Sequence, residues 1–311
     1  MKKIILLTFA ALLVFFSFIA GLYVYFDKEV LELNNETRKN IPGSFIQLSN
    51  GYVHYELKGP STGELVVLIH GAGSGYYAWD KNFYQLADSG YRVLRYDLYG
   101  RGFSDRPTVK YDVPFFAAQL LELLDSLQLK QSFHLASVSM GALIATYITY
   151  HHPEKVGKLI YIDPAAINNG VKHWILSVPF ASDFFMTTYW APRAVEKQMA
   201  EFYQPSSVSE YSINAAHQLK YKGLKRAFVS TWLNACSVNM NKELKVIGKE
   251  HSDILLLWGE QDPLTPLQLS EKYKQLLPFA DFFVIKDAGH LSNYEKPDLV
   301  NPYLLTFLKR P

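Results

Sequence analysis

A single cysteine, Cys236, in 311 residues excludes any disulfide within the chain, so the fold has to be held by its apolar core. No glycine turn surrounds that cysteine in Asn234-Ala-Cys-Ser-Val238, and it reads as a small core thiol rather than a nucleophile. Charge of one sign is equally scarce. Lys and Arg number 31 against 29 Asp and Glu, and Lys2 and Lys3 alone account for the excess, which removes the electrostatic footprint of a nucleic-acid-binding protein. There is no internal repeat and no low-complexity tract. The glycine-rich stretch His70-Gly-Ala-Gly-Ser-Gly75 lacks the Gly-Lys-Ser/Thr ending of a nucleotide-phosphate loop.

What is present is a chain of 49% hydrophobic and 19% charged residues, long enough to bury one large domain. Residues Ile4 to Phe26 are almost continuously apolar. As a helix they would rise about 34 Å, enough to cross a hydrocarbon core of about 30 Å. A cut after Ala20 would put Phe18 at the −3 position, and the apolar run continues to Phe26, so residues 1–26 are expected to be a signal anchor that stays attached. Cleavage to a secreted or periplasmic form is the alternative. Lys2, Lys3 and the terminal amine precede the segment while Asp27, Lys28, Glu29, Glu32 and Glu36 follow it before Arg38 and Lys39, and from this flanking charge the remainder is expected outside the cytoplasm. Residues 27–44 are polar and read as a stalk, and 45–311 as the folded domain.

Within that domain, Asn50-Gly51 suits a tight turn between strands at Phe45–Leu48 and Tyr52–Leu57. From Leu65 the pattern predicts strands at 65–70, 91–97, 133–139 and 156–163, alternating with helices near 80–89, 114–127 and 140–151. Between Pro164 and about His251 the rhythm gives way to helix-like sequence rich in aromatics, among them Trp174, Phe180, Phe185, Trp190 and Trp232. It resumes with a strand at 254–259, a helix at 266–276, a strand at 281–286 and a closing helix at 297–309. Such alternation predicts an α/β fold with a mostly parallel, doubly wound sheet.

Several strand-like runs end on residues suited to chemistry. Phe133-His-Leu-Ala-Ser-Val-Ser-Met-Gly141 stops at Ser139 among small residues and turns into a helix-prone stretch, the pattern of a nucleophile elbow. In the pattern G-x-S-x-G, Ser137 stands at the first glycine. The run Leu65–Ile69 leads into His70-Gly-Ala-Gly73, and two later runs end at Asp262 and His290. A serine hydroxyl needs a base to take its proton, and that base needs a partner to fix its tautomer. Ser139, Asp262 and His290 supply these types in chain order. His70, His134, His151, His152 and His251 read as structural.

In these motifs and their order the chain resembles the α/β-hydrolase superfamily over roughly Phe45 to Leu308, including Asp97-Leu-Tyr-Gly-Arg-Gly-Phe-Ser-Asp105. The resemblance implies a helical lid at about 165–250 and a catalytic set of Ser139, Asp262 and His290. Glu260 and Asp163 compete for the acid's place. It further implies an oxyanion hole from the backbone N–H groups of Met140 and Ala72, with Arg101 paired to a carboxylate in a mainly structural loop. The implied activity is hydrolysis of a carboxylic ester or related acyl bond in a small molecule, through an acyl-enzyme and with no metal or organic cofactor. Ser139 in place of an aspartate speaks against dehalogenase and epoxide hydrolase chemistry. Ser-x-Ser-Met-Gly is also similar to carbon–carbon bond hydrolases of aromatic degradation, which stay open as an alternative, as does a non-catalytic membrane-anchored binding protein.

Overall fold

The computed structural model of the chain describes residues 1–165 and 174–311. One sheet of eight strands organises the domain: β1 Ser44–Leu48, β2 Gly51–Lys58, β3 Leu65–Ile69, β4 Arg92–Tyr96, β5 Phe133–Val138, β6 Val156–Ile162, β7 Ile254–Gly259 and β8 Asp281–Ile285. Their order across the sheet is β1-β2-β4-β3-β5-β6-β7-β8. The β1–β2 and β2–β4 pairings are antiparallel and all others are parallel, in keeping with the expected α/β sheet.

Alternate side chains of the central strands feed two separate cores. Leu65, Val67 and Ile69 of β3 pack with Phe116, Leu120, Ile144 and Leu244 on one face. Val66 and Leu68 pack with Trp79, Phe83, Val300 and Leu304 on the other. This two-sided burial explains why β3 and β7 carry apolar residues without alternation. The helices Val113–Ser126, Gly141–His151 and Asn241–Glu250 cover the first face, and Phe83–Asp88 and Pro297–Leu308 cover the second.

The cover over the strand ends consists of a short turn Trp174–Ser177, helices Pro179–Phe185, Ala191–Met199, Ser209–Gln218 and Leu224–Asn234, and a π-turn at Met186–Trp190. Residues 166–173 of the expected lid lie outside the described residues. Its expected last part, Asn241–Glu250, sends Leu244 and Ile247 into the core and flanks the sheet instead. The segment read as a stalk is laid against the domain: Leu31 bridges Tyr221, Lys222 pairs with Glu32 at 2.7 Å, and Arg38 pairs with Asp105. Before it stands a helix, α1, Lys2–Phe26, with mean hydropathy 2.6 and no buried residue.

Candidate active site

Ser139 sits between β5 and the helix Gly141–His151 with φ at +53°, a strained value for a residue with a side chain. The tightness comes from Gly141, where an added Cβ would lie 2.6 Å from the Ile69 carbonyl and 3.0 Å from that of His70. Position 137 faces another way. The Ser137 hydroxyl donates to the Ile160 carbonyl on β6 at 3.1 Å, so a serine is accommodated where the usual elbow has glycine.

Ser139 and His290 are brought together although 151 residues separate them: Oγ lies 2.8 Å from Nε2. On the far side of the ring, Nδ1 lies 2.8 Å from Asp262 Oδ2. Asp262 is itself fixed, accepting from the Leu264 and Thr265 N–H groups at 2.8 and 2.7 Å and from the Thr265 hydroxyl at 2.6 Å. Neither competing acid reaches the ring. Glu260 accepts weakly from the Asp287 N–H at 3.4 Å, while Asp163 accepts from the Gly259 and Ser292 N–H groups at 2.6 and 2.8 Å and joins two loops.

Charge is crowded here. Burial alone would lower the His290 pKa, but the adjoining Asp262, with Glu201 and Asp163 behind it, raises it to about 9. Burial pushes Asp163 up to about 8, and repulsion from Asp262 adds to that. The field of Asp262 would thus stabilise an imidazolium formed on His290 during a reaction.

The loop after β3 faces the serine. His70 pins it, accepting from the Leu98 N–H at Nε2 (2.9 Å) and donating from Nδ1 to the Gly71 carbonyl (2.8 Å), and burial lowers its pKa to about 4, so it stays neutral. Arg101 departs from expectation. Its buried guanidinium meets no carboxylate among the described residues and donates instead to the carbonyls of Ala72 and Gly100. The cover adds two ties, since Gln198 and Gln218 each donate to the Gly73 carbonyl at 2.8 Å. Neither the Ala72 nor the Met140 N–H finds a backbone acceptor among the described residues, which leaves both free for a ligand.

Over these groups lies a cavity of about 560 Å³. Its floor includes Ser139, His290 and Ala72, and Phe185, Met186, Trp190, Phe228 and Trp232 give it an apolar roof. Glu201 also lines it, and burial raises that carboxyl to about 7, helped by Asp262 and opposed by His290. No motif marked Glu201 in the sequence. It reaches the site because its own carbonyl accepts the His290 N–H at 2.8 Å, at a turn where Gly289 has no room for a Cβ. Cys236 packs beside the core and burial pushes its thiol up to about 12, as befits an inert group. Among the described residues no three His, Cys, Asp or Glu side chains gather as a metal site.

A family model for the alpha/beta hydrolase fold matches residues 64–297, and the chain belongs to that family. It is a hydrolase, which sets aside the non-catalytic alternative. Among curated proteins it is 27% identical over 278 residues to a 2-hydroxy-6-oxo-6-phenylhexa-2,4-dienoate hydrolase of Comamonas testosteroni, covering 85% of this chain and 93% of the relative. It is likewise 27% identical over 257 residues to Lipase 3 of Moraxella sp. strain TA144, covering 78% and 76%. Among solved structures, a membrane phospholipase A described as a bacterial virulence factor superposes with a TM-score of 0.67 at 22% identity, covering 99% of this chain and 98% of that one.

Proposed function

We propose that the protein is a membrane-anchored serine hydrolase that cleaves carboxylic esters with apolar acyl groups. The observation that carries this is the bonded series Ser139–His290–Asp262 beneath an apolar roof. In this reading Ser139 Oγ attacks the acyl carbon as His290 Nε2 takes its proton. Charge develops on the carbonyl oxygen, which the N–H groups of Met140 and Ala72 receive, each such donor being worth about 3–4 kcal/mol. The tetrahedral adduct expels the alcohol, protonated by His290, and leaves an acyl-enzyme. Water then attacks the acyl carbon, its proton passing to His290, and the acid departs as Ser139 recovers its proton. Arg101 and the two glutamines hold the Ala72 loop in register for this step.

The apolar helix α1 is the membrane-crossing segment in this reading. Lys2, Lys3 and the terminal amine stand at its start, and Asp27, Lys28, Glu29, Glu32 and Glu36 follow its end before Arg38 and Lys39; on this flanking charge the catalytic domain is read as extracytoplasmic.

Carbon–carbon bond hydrolysis of a dienoate is the second reading, favoured by the likeness to the Comamonas enzyme. Against it stand the apolar roof of the cavity and the solvent exposure of Lys197, the cation on its wall, which leave the carboxylate of such a substrate without a buried Lys or Arg partner among the described lining residues. A panel of p-nitrophenyl esters of graded chain length beside a 2-hydroxy-6-oxo-dienoate, given to the purified full-length protein, tests the choice. Ester turnover that exceeds dienoate turnover is expected. Turnover of the dienoate alone would transfer the assignment to the second reading.

A further inference from the structure

The wall that closes the cavity has an outer face, and that face is apolar. Phe180 is 92% exposed and Trp174 is 75% exposed, with Val178 between them also exposed. The turn Trp174–Ser177 presents Trp174 outward while its Leu176 lines the cavity, and the neighbouring helix Pro179–Phe185 exposes Phe180 while its Phe185 lines the cavity. One thin layer therefore separates the cavity from this edge.

The same layer is fastened to the end of α1. The Tyr23 hydroxyl, in the last turn of that helix, donates to Asp183 Oδ2 at 2.7 Å, and Asp183 lies three residues beyond Phe180 on one helix. Lys225 joins Asp27 at 2.9 Å to Thr187 of the π-turn at 2.7 Å. Glu29 accepts from the Gly223 and Lys225 N–H groups at 2.8 and 2.6 Å, at the start of the helix that carries Phe228 and Trp232. These bonds set the height of the lid relative to α1, which a free tether would not do. If α1 crosses the bilayer, its length exceeds the hydrocarbon core of about 30 Å only slightly, so Tyr23 sits near the boundary where tyrosine and tryptophan settle. Phe180 lies about one helical turn, or about 5 Å, from the residue that Tyr23 holds.

We propose that the edge formed by Trp174, Val178 and Phe180 docks into the apolar boundary of the bilayer that α1 crosses, so that the cavity is filled from the membrane. The substrate class that follows is an ester whose acyl chain partitions into lipid. This rests on the reading of α1 as a membrane-crossing helix and of the cavity as a hydrolase site. The bilayer is the occupant favoured over a second copy of the chain because the edge is continuous with α1 and held level with its end.

The test uses full-length protein in phosphatidylcholine vesicles. Brominated phosphatidylcholine should quench tryptophan emission in the parent protein, and most of that quenching should vanish in Trp174→Phe. A Val178→Ser, Phe180→Ser double variant should lose about tenfold in hydrolysis of p-nitrophenyl palmitate carried in the vesicles, by weakened seating of two apolar side chains. It should keep its rate on soluble p-nitrophenyl acetate, since neither residue lines the cavity. Equal quenching with and without Trp174, or equal palmitate rates for parent and double variant, would overturn the proposal. So would vesicle-independent crosslinking between copies through position 180. An inactive parent whose Trp174 is quenched would count against the hydrolase reading and leave the docking surface standing. A parent that fails to float with the vesicles would end the proposal by removing the anchor.

Discussion

Replacing Asp262 by asparagine exposes how the site is wired, because the surroundings dictate how the new amide must lie. Two backbone N–H groups, those of Leu264 and Thr265, point at Oδ1. The amide oxygen has to take that place, since an NH2 group there would face two donors. The NH2 group is then left against His290 Nδ1, where Oδ2 now stands at 2.8 Å. It donates to Nδ1, moves the ring proton to Nε2, and so presents Ser139 with a donor instead of an acceptor. The wrong tautomer at a serine–histidine pair costs about 10⁴-fold in kcat, or about 5.5 kcal/mol of transition-state stabilisation. Loss of the Asp262 charge beside buried His290 should also lower stability, offset in part by relief of its repulsion with Asp163, so kcat is read on protein shown to be folded. The assay is kcat on p-nitrophenyl butyrate beside thermal unfolding, with Asp163→Asn and Glu260→Gln as comparisons. Activity of Asp262→Asn within tenfold of the parent, or an equal and selective loss in Asp163→Asn, would refute this reasoning.

The pH–rate profile should show its acid limb displaced upward, since His290 must be neutral to accept the serine proton and its pKa is raised to about 9; a limb at the ordinary histidine value would contradict the field described for the site. The matching stability term runs in the opposite sense. The charged His290 stabilises the fold fully below about pH 6.5 and that contribution fades as pH rises through about 9, so chemical denaturation across this window should show declining stability from this group. Gly141→Ala should destabilise by about 1–3 kcal/mol in urea unfolding and lower activity together, because the new methyl group meets the Ile69 carbonyl at 2.6 Å. Ser137→Gly should cost about 1 kcal/mol for its lost bond to Ile160 and leave kcat close to the parent value.

The sheet was legible because parallel strands buried on both faces write themselves as unbroken runs such as Leu65–Ile69 and Ile254–Leu257. The elbow was legible because the close approach of Gly141 to Ile69 admits few residue types. Tertiary partners decided what stayed hidden. Ser137 is tolerated through a carbonyl on the next strand, and Arg101 finds carbonyls of its own and a neighbouring loop where a carboxylate was expected. Glu201 enters the cavity through a backbone contact at Gly289 that carries no local signature. The polar run after α1 looked like a stalk because its acids and lysines suit solvent equally well. Only the fold shows Glu29 receiving two N–H groups and Asp27 meeting Lys225.

The central claim is that Ser139 is the nucleophile, and labelling with a fluorophosphonate followed by mass mapping of the digested protein tests it most directly. One adduct on the peptide carrying Ser139, absent from a folded Ser139→Ala variant that also loses ester turnover, is the predicted result. An adduct on Ser137, or persistent ester turnover by Ser139→Ala, would contradict it.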